Sequence, residues 1–356
     1  MHLEQGEIPA FYRFYLKRKK LALLAGGASM ALLFLLALGL GSVQIDAVEL
    51  IRTLAGSGAD RRAALVVWNI RLPQAITAVV AGVGLSLSGA VMQTVLKNPL
   101  GSPFTLGVSH AAAFGAALAV MFFGGGRMGS TPSDAVLLSN LPVTTVSAFA
   151  CSLLATGVVI LLSRSRGATP ESMVLSGVAL GSLFTAATLL LQYFAEDSQL
   201  AAMVFWSFGD LARTRWPEVA AMSVTVGLAA FFFLWNRWNY NALDAGAETA
   251  ASLGVRVNRV RLAGLLVSSL VTSVIVAFCG VIGFIGLLGP HMTRRLLGDD
   301  HRFLLPGSAL AGALILLAAD TAARTALSPR TLPVSIVTSF LGAPLFLWMI
   351  VRGTRR

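Results

Sequence analysis

The sequence predicts an all-α polytopic membrane protein with about ten transmembrane helices and both termini in the cytoplasm. Composition is the first reason: of 356 residues, 56% are hydrophobic and 12% are charged, and the mean hydropathy is +0.78. Soluble domains carry about 25% charged residues, and a water-soluble fold of this size could not bury so much apolar surface. Arrangement is the second reason, because the basic residues lie in short clusters between long apolar stretches.

Ten apolar segments are long enough to form helices across a bilayer core of about 30 Å, which takes roughly 20 residues each. They cover residues 21–42, 72–95, 104–123, 142–163, 170–194, 217–236, 260–280, 281–297, 304–327 and 333–351. The seventh and eighth are almost continuous, and their glycines and proline predict breaks at Gly280, Gly283, Gly286, Gly289 and Pro290. We therefore expect a basic cytoplasmic segment, 1–20, and a ten-helix membrane domain, 21–352.

The fifth segment begins with a pattern typical of a helix N-terminus. Thr169 is a suitable cap, Pro170 fits the first turn, and the acid Glu171 lies near the positive end of the helix dipole. Further along, Gly177 and Gly181 form a GxxxG pair, which permits close contact between helices in lipid.

Positive charge predicts the orientation, because cytoplasmic loops carry an excess of lysine and arginine. With ten spans, one side receives the basic clusters at 13–20, 97, 164–166, 256–261, 294–302 and 352–356. Arg61, Arg62, Arg213 and Arg215 oppose this bias without reversing it. Loops that face anionic lipid explain the net charge of +11, so nucleic acid is not expected as a partner.

The sequence contains no motif for catalysis. It has no GxxxxGK[ST] loop, so it cannot hydrolyse ATP by a P-loop mechanism, and it has no HExxH, CxxC or GxSxG motif. Cys151 and Cys279 both lie within apolar segments, where we expect small core residues. The four histidines are scattered along the chain. We expect no catalytic residue, no metal site and no cofactor in this chain.

Asp320 is the one acid well inside an apolar segment, and Arg324 follows it at the i,i+4 spacing of an ion pair. Ion-coupled transporters usually carry carboxylates or histidines deep in the membrane. A single paired acid near a helix end favours a structural role instead. The sequence therefore predicts a gated conduit driven by other subunits, with an ion-coupled secondary transporter as the alternative.

Three motif regions, in order along most of the chain, resemble the FecCD family of permeases. The first runs from Arg71-Leu72-Pro73 to Gly107, the second covers 283–306 and includes Asp300-His301-Arg302, and the third runs from Asp320 to Phe346. The resemblance assigns a structural role to Pro73, Gly89, Gln93, Asn98, Pro99, Gly107, Gly283, Gly286, Pro290, Asp320, Gly342 and Pro344.

The resemblance implies a permease subunit of an ABC importer in a bacterial cell inner membrane. The implied partners are a second copy of the chain, two cytoplasmic ATPase subunits, a periplasmic substrate-binding protein and membrane lipid. The family carries ferric siderophores, haem or vitamin B12. Frequency within the family favours a ferric siderophore-type iron chelate as the substrate, while haem and vitamin B12 stay open.

Two arginines match the positions at which the family receives glutamates of the binding protein. They are Arg71 and Arg324, which the predicted spans place at outer helix ends. The planar guanidinium suits this role because it can bind a carboxylate through two hydrogen bonds. The family usually has a second arginine in the first motif, where this chain has Gln74. Ordinary interfacial arginines that extend to the membrane surface are the alternative.

The segment at about 237–259 resembles the cytoplasmic coupling loop of the family, a pair of short helices that enters a cleft of the ATPase. The positions that match are Leu243, Gly246, Glu248, Ala250, Leu253 and Gly254. The two leucines are expected to be apolar contact points, and Gly254 suits a helix C-terminus. A plain surface loop is the alternative.

The resemblance also implies a translocation path lined mainly by the fifth span, with parts of the third, eighth and tenth. In the fifth span the candidates are Ser172, Ser176, Val178, Leu180 and Leu183. His110 in the third span is a further candidate, although a single histidine in an apolar helix is more often a packed residue. Small and apolar side chains would hold a substrate weakly, as an importer that must release it requires.

Overall fold

A computed structural model of the chain describes residues 10–41, 45–57, 60–123, 127–128, 136–137, 141–165, 169–327 and 331–353. Across these residues the chain forms fifteen α-helices and one pair of short antiparallel strands. The first eight helices are α1 Ala10–Gly39, α2 Ala47–Leu54, α3 Arg61–Val66, α4 Leu72–Val95, α5 Val108–Phe123, α6 Leu141–Ser165, α7 Pro170–Phe194 and α8 Asp197–Ser207. The others are α9 Trp216–Trp235, α10 Arg237–Asp244, α11 Ala247–Ser252, α12 Val257–Cys279, α13 Ile285–Leu297, α14 His301–Thr325 and α15 Val334–Gly353. The strands are β1 Arg127–Met128 and β2 Val136–Leu137.

Each of the ten predicted apolar segments coincides with one long helix or helical stretch. Within the described residues, seven runs are long and apolar enough to cross a membrane: Tyr12–Gly39, Arg61–Val95, Pro142–Arg164, Pro170–Phe194, Trp216–Trp235, Val257–Cys279 and His301–Thr325. Val108–Phe123 and Val334–Trp348 are shorter apolar helices, and α13 is shorter still. The helical membrane architecture is confirmed, whereas the number ten and the cytoplasmic position of the termini stay predictions.

The second span begins earlier than predicted. Helical structure runs without interruption from Arg61 through α3, a π-helical turn at Val67–Arg71 and α4. In that turn the amide of Leu72 bonds to the carbonyl of Val67, five residues back. Pro73, which has no amide hydrogen to donate, then falls in the first turn of α4. Arg71 therefore lies at the junction of the π-helical turn and α4, inside a longer helical run, and its place at the outer end of the membrane span stays a prediction.

The predicted break between the seventh and eighth spans is confirmed only in its first part. Gly280 ends α12 with φ +75°, and Phe284 precedes α13 with φ +67°, a left-handed conformation that is uncommon for a phenylalanine. Gly286, Gly289 and Pro290 lie inside α13, so the breaks predicted there were wrong. The missing amide of Pro290 would leave the carbonyl of Gly286 without a helical donor, and this carbonyl lies directly against Gly89 of α4.

The centre of the molecule is α4. Of its most apolar stretch 78% is buried, against 17% in α7. It packs on α9, α12, α13 and α14. One close crossing is with α14, where a Cβ added at Gly82 would overlap the backbone of Gly312, and one at Gly312 would overlap Gly82. The small residues of the second span therefore serve close helix packing.

The predicted start of the fifth span is confirmed. Thr169 precedes α7 in an extended conformation, and its Oγ1 accepts a hydrogen bond of 3.3 Å from the amide of Ser172. The GxxxG pair of α7 has an unexpected neighbour. A Cβ added at Gly177 would lie 2.6 Å from Cα of Leu106, and Gly181 lies against Gly107. The pair thus packs against the turn that leads into α5.

Candidate functional site

Four residues from two helices form a buried charged group, which we call the arginine cluster: Arg71, Gln74, Asp320 and Arg324. Asp320 accepts a hydrogen bond of 2.8 Å from Nε2 of Gln74 on α4. Its other oxygen lies 3.0 Å from Nε of Arg324, one turn along α14. This is the ion pair that the i,i+4 spacing predicts. Each of the four residues is at most 8% exposed.

The two guanidinium groups of the arginine cluster bind the C-terminus of α1. Nη1 of Arg71 donates to the carbonyls of Leu38 at 2.8 Å and Gly39 at 2.9 Å. Nη2 of Arg324 donates to the carbonyl of Ala37 at 3.3 Å. The last carbonyls of a helix lack helical donors and form the negative end of its dipole, which cations stabilise. The arginine cluster therefore fixes α1 to α4 and α14.

Burial of both arginines bears on their predicted role. Arg71 is 3% exposed and Arg324 is 8% exposed, so their guanidinium groups do not extend to the surface as ordinary interfacial arginines would. The docking of a binding protein on them stays a prediction. Gln74 takes the place of the family's second arginine and gives Asp320 a neutral donor. The cluster consequently contains two cations and one anion.

The segment predicted to couple to an ATPase consists of α10, a turn and α11. Gly246 lies between the two helices with φ +123°, and Gly254 follows α11 with φ +83°. Both conformations favour glycine. Of the two predicted contact leucines, Leu253 is 69% exposed whereas Leu243 is completely buried. Only Leu253 is available on the surface of the chain; Glu248 is exposed with it, while Ala250 is buried.

Charges beside this loop come from neighbouring helix ends. Nζ of Lys97, just beyond α4, donates to the carbonyl of Asp244 at 3.2 Å. Burial raises the pKa of Asp244 above its ordinary value, while the nearby cations Arg294 and Lys97 act in the opposite direction. The C-terminal residue of α10 thus lies beside basic groups from the turn after α4 and from α13.

A cavity of about 450 Å³ lies between α4, α5, α12, α13 and α15. Its walls combine hydroxyl groups such as those of Ser109 and Ser339 with apolar residues such as Phe104, Phe284 and Leu287. The described residues that line it include no ionisable side chain. We call this space the serine-lined cavity.

The serine-lined cavity brings together the third, eighth and tenth predicted spans, which are α5, α13 and α15. The α7 candidates lie elsewhere. Val178 is 55% exposed and Leu183 62% exposed, and Ser172, Ser176 and Leu180 are partly exposed.

His110 lies between the serine-lined cavity and α7. Its ring contacts that of Phe104, a residue of the cavity wall, with 5.7 Å between ring centres. A Cβ added at Gly181 of α7 would lie 3.5 Å from its Nδ1.

Several motif residues lie at helix crossings and turns. Gly89 touches Gly286 where α4 crosses α13, and Gly107 turns with φ +75° against α7. Asn98 organises the turn after α4, since its Oδ1 accepts the amide of Leu100 at 2.9 Å. Gly342 of α15 leaves space for the ring of Phe284. Gly283 has nothing packed against it and borders the serine-lined cavity.

The motif residues Pro290 and Pro344 lie inside α13 and α15, and Pro99 follows Asn98 in the turn after α4. Gln93 is buried near the end of α4.

Two groups of polar residues were missed by sequence analysis. Arg213 donates to the carbonyls of Phe205, Trp206 and Phe208 at the end of α8, so one cation that opposes the charge bias is held by backbone acceptors. The other group joins Thr94 and Asn241 to His301. The Asp300-His301-Arg302 motif marked one partner, but nothing local indicates the other two. Among the described residues, no three histidine, cysteine or acidic side chains are placed to hold a metal.

Comparisons with known proteins agree with this architecture. The model of the FecCD transport family matches residues 29–352. A Methanocaldococcus jannaschii protein named provisionally as an ABC transporter permease is 48% identical over 353 residues, covering 98% of this chain and 99% of the relative. The hemin transport system permease protein of Yersinia pestis is 39% identical over 323 residues, covering 90% and 94%.

A solved structure has the same fold. It is described as an inward-facing conformation of a provisionally assigned metal-chelate type ABC transporter, with a TM-score of 0.80 and 30% identity. The match covers 93% of this chain and 99% of that one. Since the family model and these relatives span nearly the whole chain, this protein belongs to the FecCD transport family and is a permease of ABC importers.

Proposed function

We propose that the chain, as a homodimer in the bacterial cell inner membrane, imports a ferric siderophore-type chelate delivered by a periplasmic binding protein. The serine-lined cavity is the observation that carries this proposal. Its volume of about 450 Å³ falls in the usual range of small-molecule sites, roughly 300–1,000 Å³. Hydroxyl and apolar walls can accommodate a bulky chelate without coordinating its metal, and weak contacts allow release.

Energy for transport comes from two cytoplasmic ATPase subunits. The α10–α11 segment supports their docking, because it presents Leu253 and Glu248 on the surface. Docking of the binding protein on Arg71 and Arg324 rests on the family resemblance; because both guanidinium groups are buried against the end of α1, they would have to become exposed to meet its glutamates. Coupling requires that ATP and the docked binding protein favour different conformations of the permease.

Reconstitution tests this proposal. The chain is purified with its ATPase, placed in proteoliposomes, and supplied with its binding protein and one of three probes: a ferric hydroxamate, haem or cobalamin. We expect ATP-dependent accumulation of the ferric hydroxamate, and none with a catalytically inactive ATPase. Accumulation by the chain alone, driven by an ion or proton gradient, would show a secondary transporter instead.

Haem is the second candidate substrate. The observation in its favour is the 39% identity to the hemin permease of Yersinia pestis over 90% of this chain. His110, beside the wall of the serine-lined cavity, offers an imidazole that haem iron could approach. If haem is taken up in preference in the three-probe assay and His110→Ala reduces that uptake, haem would be the assigned substrate in place of the ferric hydroxamate.

A further inference from the structure

His301 lies at a buried meeting point of three helices. The side chain is completely buried at the start of α14. Its Nε2 lies 3.0 Å from Oγ1 of Thr94 near the end of α4. Its Nδ1 lies 3.0 Å from Oδ1 of Asn241 on α10, which also accepts the amide of His301 at 2.8 Å. We call Thr94, Asn241 and His301 the three-helix junction.

The hydrogen bonds of the junction have defined directions. Nδ2 of Asn241 donates to Oδ1 of Asp300 at 3.1 Å, which fixes the orientation of the amide and makes its Oδ1 the acceptor. The facing Nδ1 of His301 therefore carries a proton. In a neutral imidazole Nε2 is then an acceptor, and it lies 3.0 Å from the hydroxyl of Thr94, which also bonds the side chain of Asp244. Oδ2 of Asp244 in turn lies 3.5 Å from Nδ1 of His301. Neighbouring bonds of this kind strengthen one another in a low-dielectric interior.

The three-helix junction holds the buried part of the α10–α11 segment, while another part of this segment is exposed. Tyr240 and Leu243 on α10 are completely buried, whereas Leu253 after α11 is 69% exposed. A partner that presses on Leu253 would move α10 with it, because Gly246 is the short link between the two helices. From α10, the side chain of Asn241 connects directly to α14 and, through the imidazole, to α4.

The two helices that the junction connects to α10, namely α4 and α14, contact each other along their length. Gln74 binds Asp320 at one end of the α4–α14 pair, and Thr94 binds His301 at the other. Twenty helical residues separate Gln74 from Thr94, or about 30 Å at 1.5 Å per residue, the thickness of a bilayer core. Between these ends the backbones touch at Gly82 and Gly312. Displacement at one end of such a pair reaches the other end.

We propose that the three-helix junction transmits movement of the α10–α11 segment to α4 and α14, with His301 as the positioning residue. This inference deepens the proposed function and rests on it, since it concerns how an ATPase drives this permease. The Asp300-His301-Arg302 motif then has a mechanical role. It attaches the α10–α11 segment, which the ATPase moves, to α4 and α14, which must move in turn.

A matched pair of variants on one helix tests the proposal. Thr94→Val removes the junction hydroxyl, and Thr77→Val removes a buried α4 hydroxyl that bonds Thr214 at 2.7 Å. Both are measured in the reconstituted complex for uptake per ATP hydrolysed, with whichever of ferric hydroxamate, haem or cobalamin the wild type accumulates. Loss of one buried hydrogen bond corresponds to about fivefold in an equilibrium, so we expect about a fivefold lower ratio in Thr94→Val only. Thr94→Ser should restore it.

If the wild-type complex transports but Thr94→Val and Thr77→Val give equal uptake per ATP hydrolysed, the proposed role of the three-helix junction is overturned. The proposed function would stand. A second pair covers failure of Thr94→Val to assemble: Asn241→Ala against Asn239→Ala, whose amide bonds only locally to Asn236 among the contacts described. A lower ratio in Asn241→Ala alone would support the junction. If Thr94→Val and Asn241→Ala both lose the complex while both controls keep it, the junction serves folding and the proposal fails.

Discussion

At the scale of single residues, buried cations are explained by the backbone groups that they bind. Arg71 and Arg324 lie against three carbonyls at the end of α1, and Arg213 lies against three carbonyls at the end of α8. A buried charge without such acceptors would cost several kcal/mol. Sequence analysis found Arg71 and Arg324 by their motifs and Asp320 by its spacing. The carbonyl acceptors could not be predicted, because any residue supplies one.

Removing the charge of Arg71 should loosen the end of α1. Hydrogen bonds to charged groups contribute about 1.5–3 kcal/mol, so Arg71→Met should lower the thermal unfolding midpoint in detergent and expose the residues around Gly39 to protease. Arg52→Met is the control, because Arg52 is an exposed arginine of the neighbouring α2. Equal stability of the two variants would contradict the capping role.

Charge reversal tests the docking role separately. Arg324→Glu should reduce the ratio of stimulated to basal ATPase activity more than Arg324→Met does, because both variants lose the ion pair with Asp320 and only the first reverses the charge. The measurement is ATPase activity with and without binding protein. If stimulation survives in the double variant with Arg71→Glu, the docking assignment is wrong.

At the scale of helices, hydropathy predicts where long helices lie but not how they end or bend. The ten apolar segments each contain a helix, since a long apolar run in lipid must satisfy its own backbone. The short helices α2, α3 and α8 were not predicted, because they are only six to eleven residues long. Pro290 suggested a boundary, but it lies inside α13. Pro73 follows a π-helical turn within a continuous helical run.

Two substitutions in the α10–α11 segment should separate the effect of backbone strain from the loss of contact with the ATPase. Leu253→Asp places a charge on an exposed residue with an ordinary backbone conformation, φ −81°, so the chain should fold but lose its ATPase on co-purification. Gly246→Glu adds strain, because φ is +123° at this position, and should lower thermal stability as well. Normal recovery of the ATPase with Leu253→Asp would refute docking at this surface.

Acid should weaken the start of α14. Asp300 caps this helix by accepting the amide of Arg302 at 3.0 Å. Burial alone would raise the pKa of Asp300, but hydrogen bonds from Arg302 and Asn241 lower it to about 2. The ordinary value is about 3.9, so the stabilisation is complete above that pH and is lost as pH falls towards 2. Comparing thermal midpoints over this range, we expect Asp300→Asn to lack this part of the acid dependence.

At the scale of the whole molecule, the charge bias of the loops predicts orientation in the membrane, whereas small residues predict which helices pack closely. Packing of α4 at the centre follows from its small residues, of which the family motif marks Gly89. Contacts such as Thr94 with His301, 207 positions apart, depend on the complete fold and leave no local pattern. The predicted path was found in part: α5, α13 and α15 meet at the serine-lined cavity, while the α7 candidates lie outside it.

Orientation can be measured by labelling single cysteines. With Cys151 and Cys279 replaced by alanine, Leu253→Cys and Ser57→Cys each place one thiol at an exposed position. The excess of basic loops predicts that a membrane-impermeant maleimide added outside intact cells labels Ser57→Cys and leaves Leu253→Cys unlabelled until the cells are opened. The reverse pattern would invert the predicted topology.

The left-handed Phe284 links two walls of the serine-lined cavity. A phenylalanine with φ +67° costs roughly 1–3 kcal/mol, and its ring rests where Gly342 of α15 has no side chain. Withdrawal of α15 would remove the support that holds this conformation. The bend between α12 and α13 would then be free to relax. Movement of α15 away from the cavity and a change in the angle between α12 and α13 would therefore occur together.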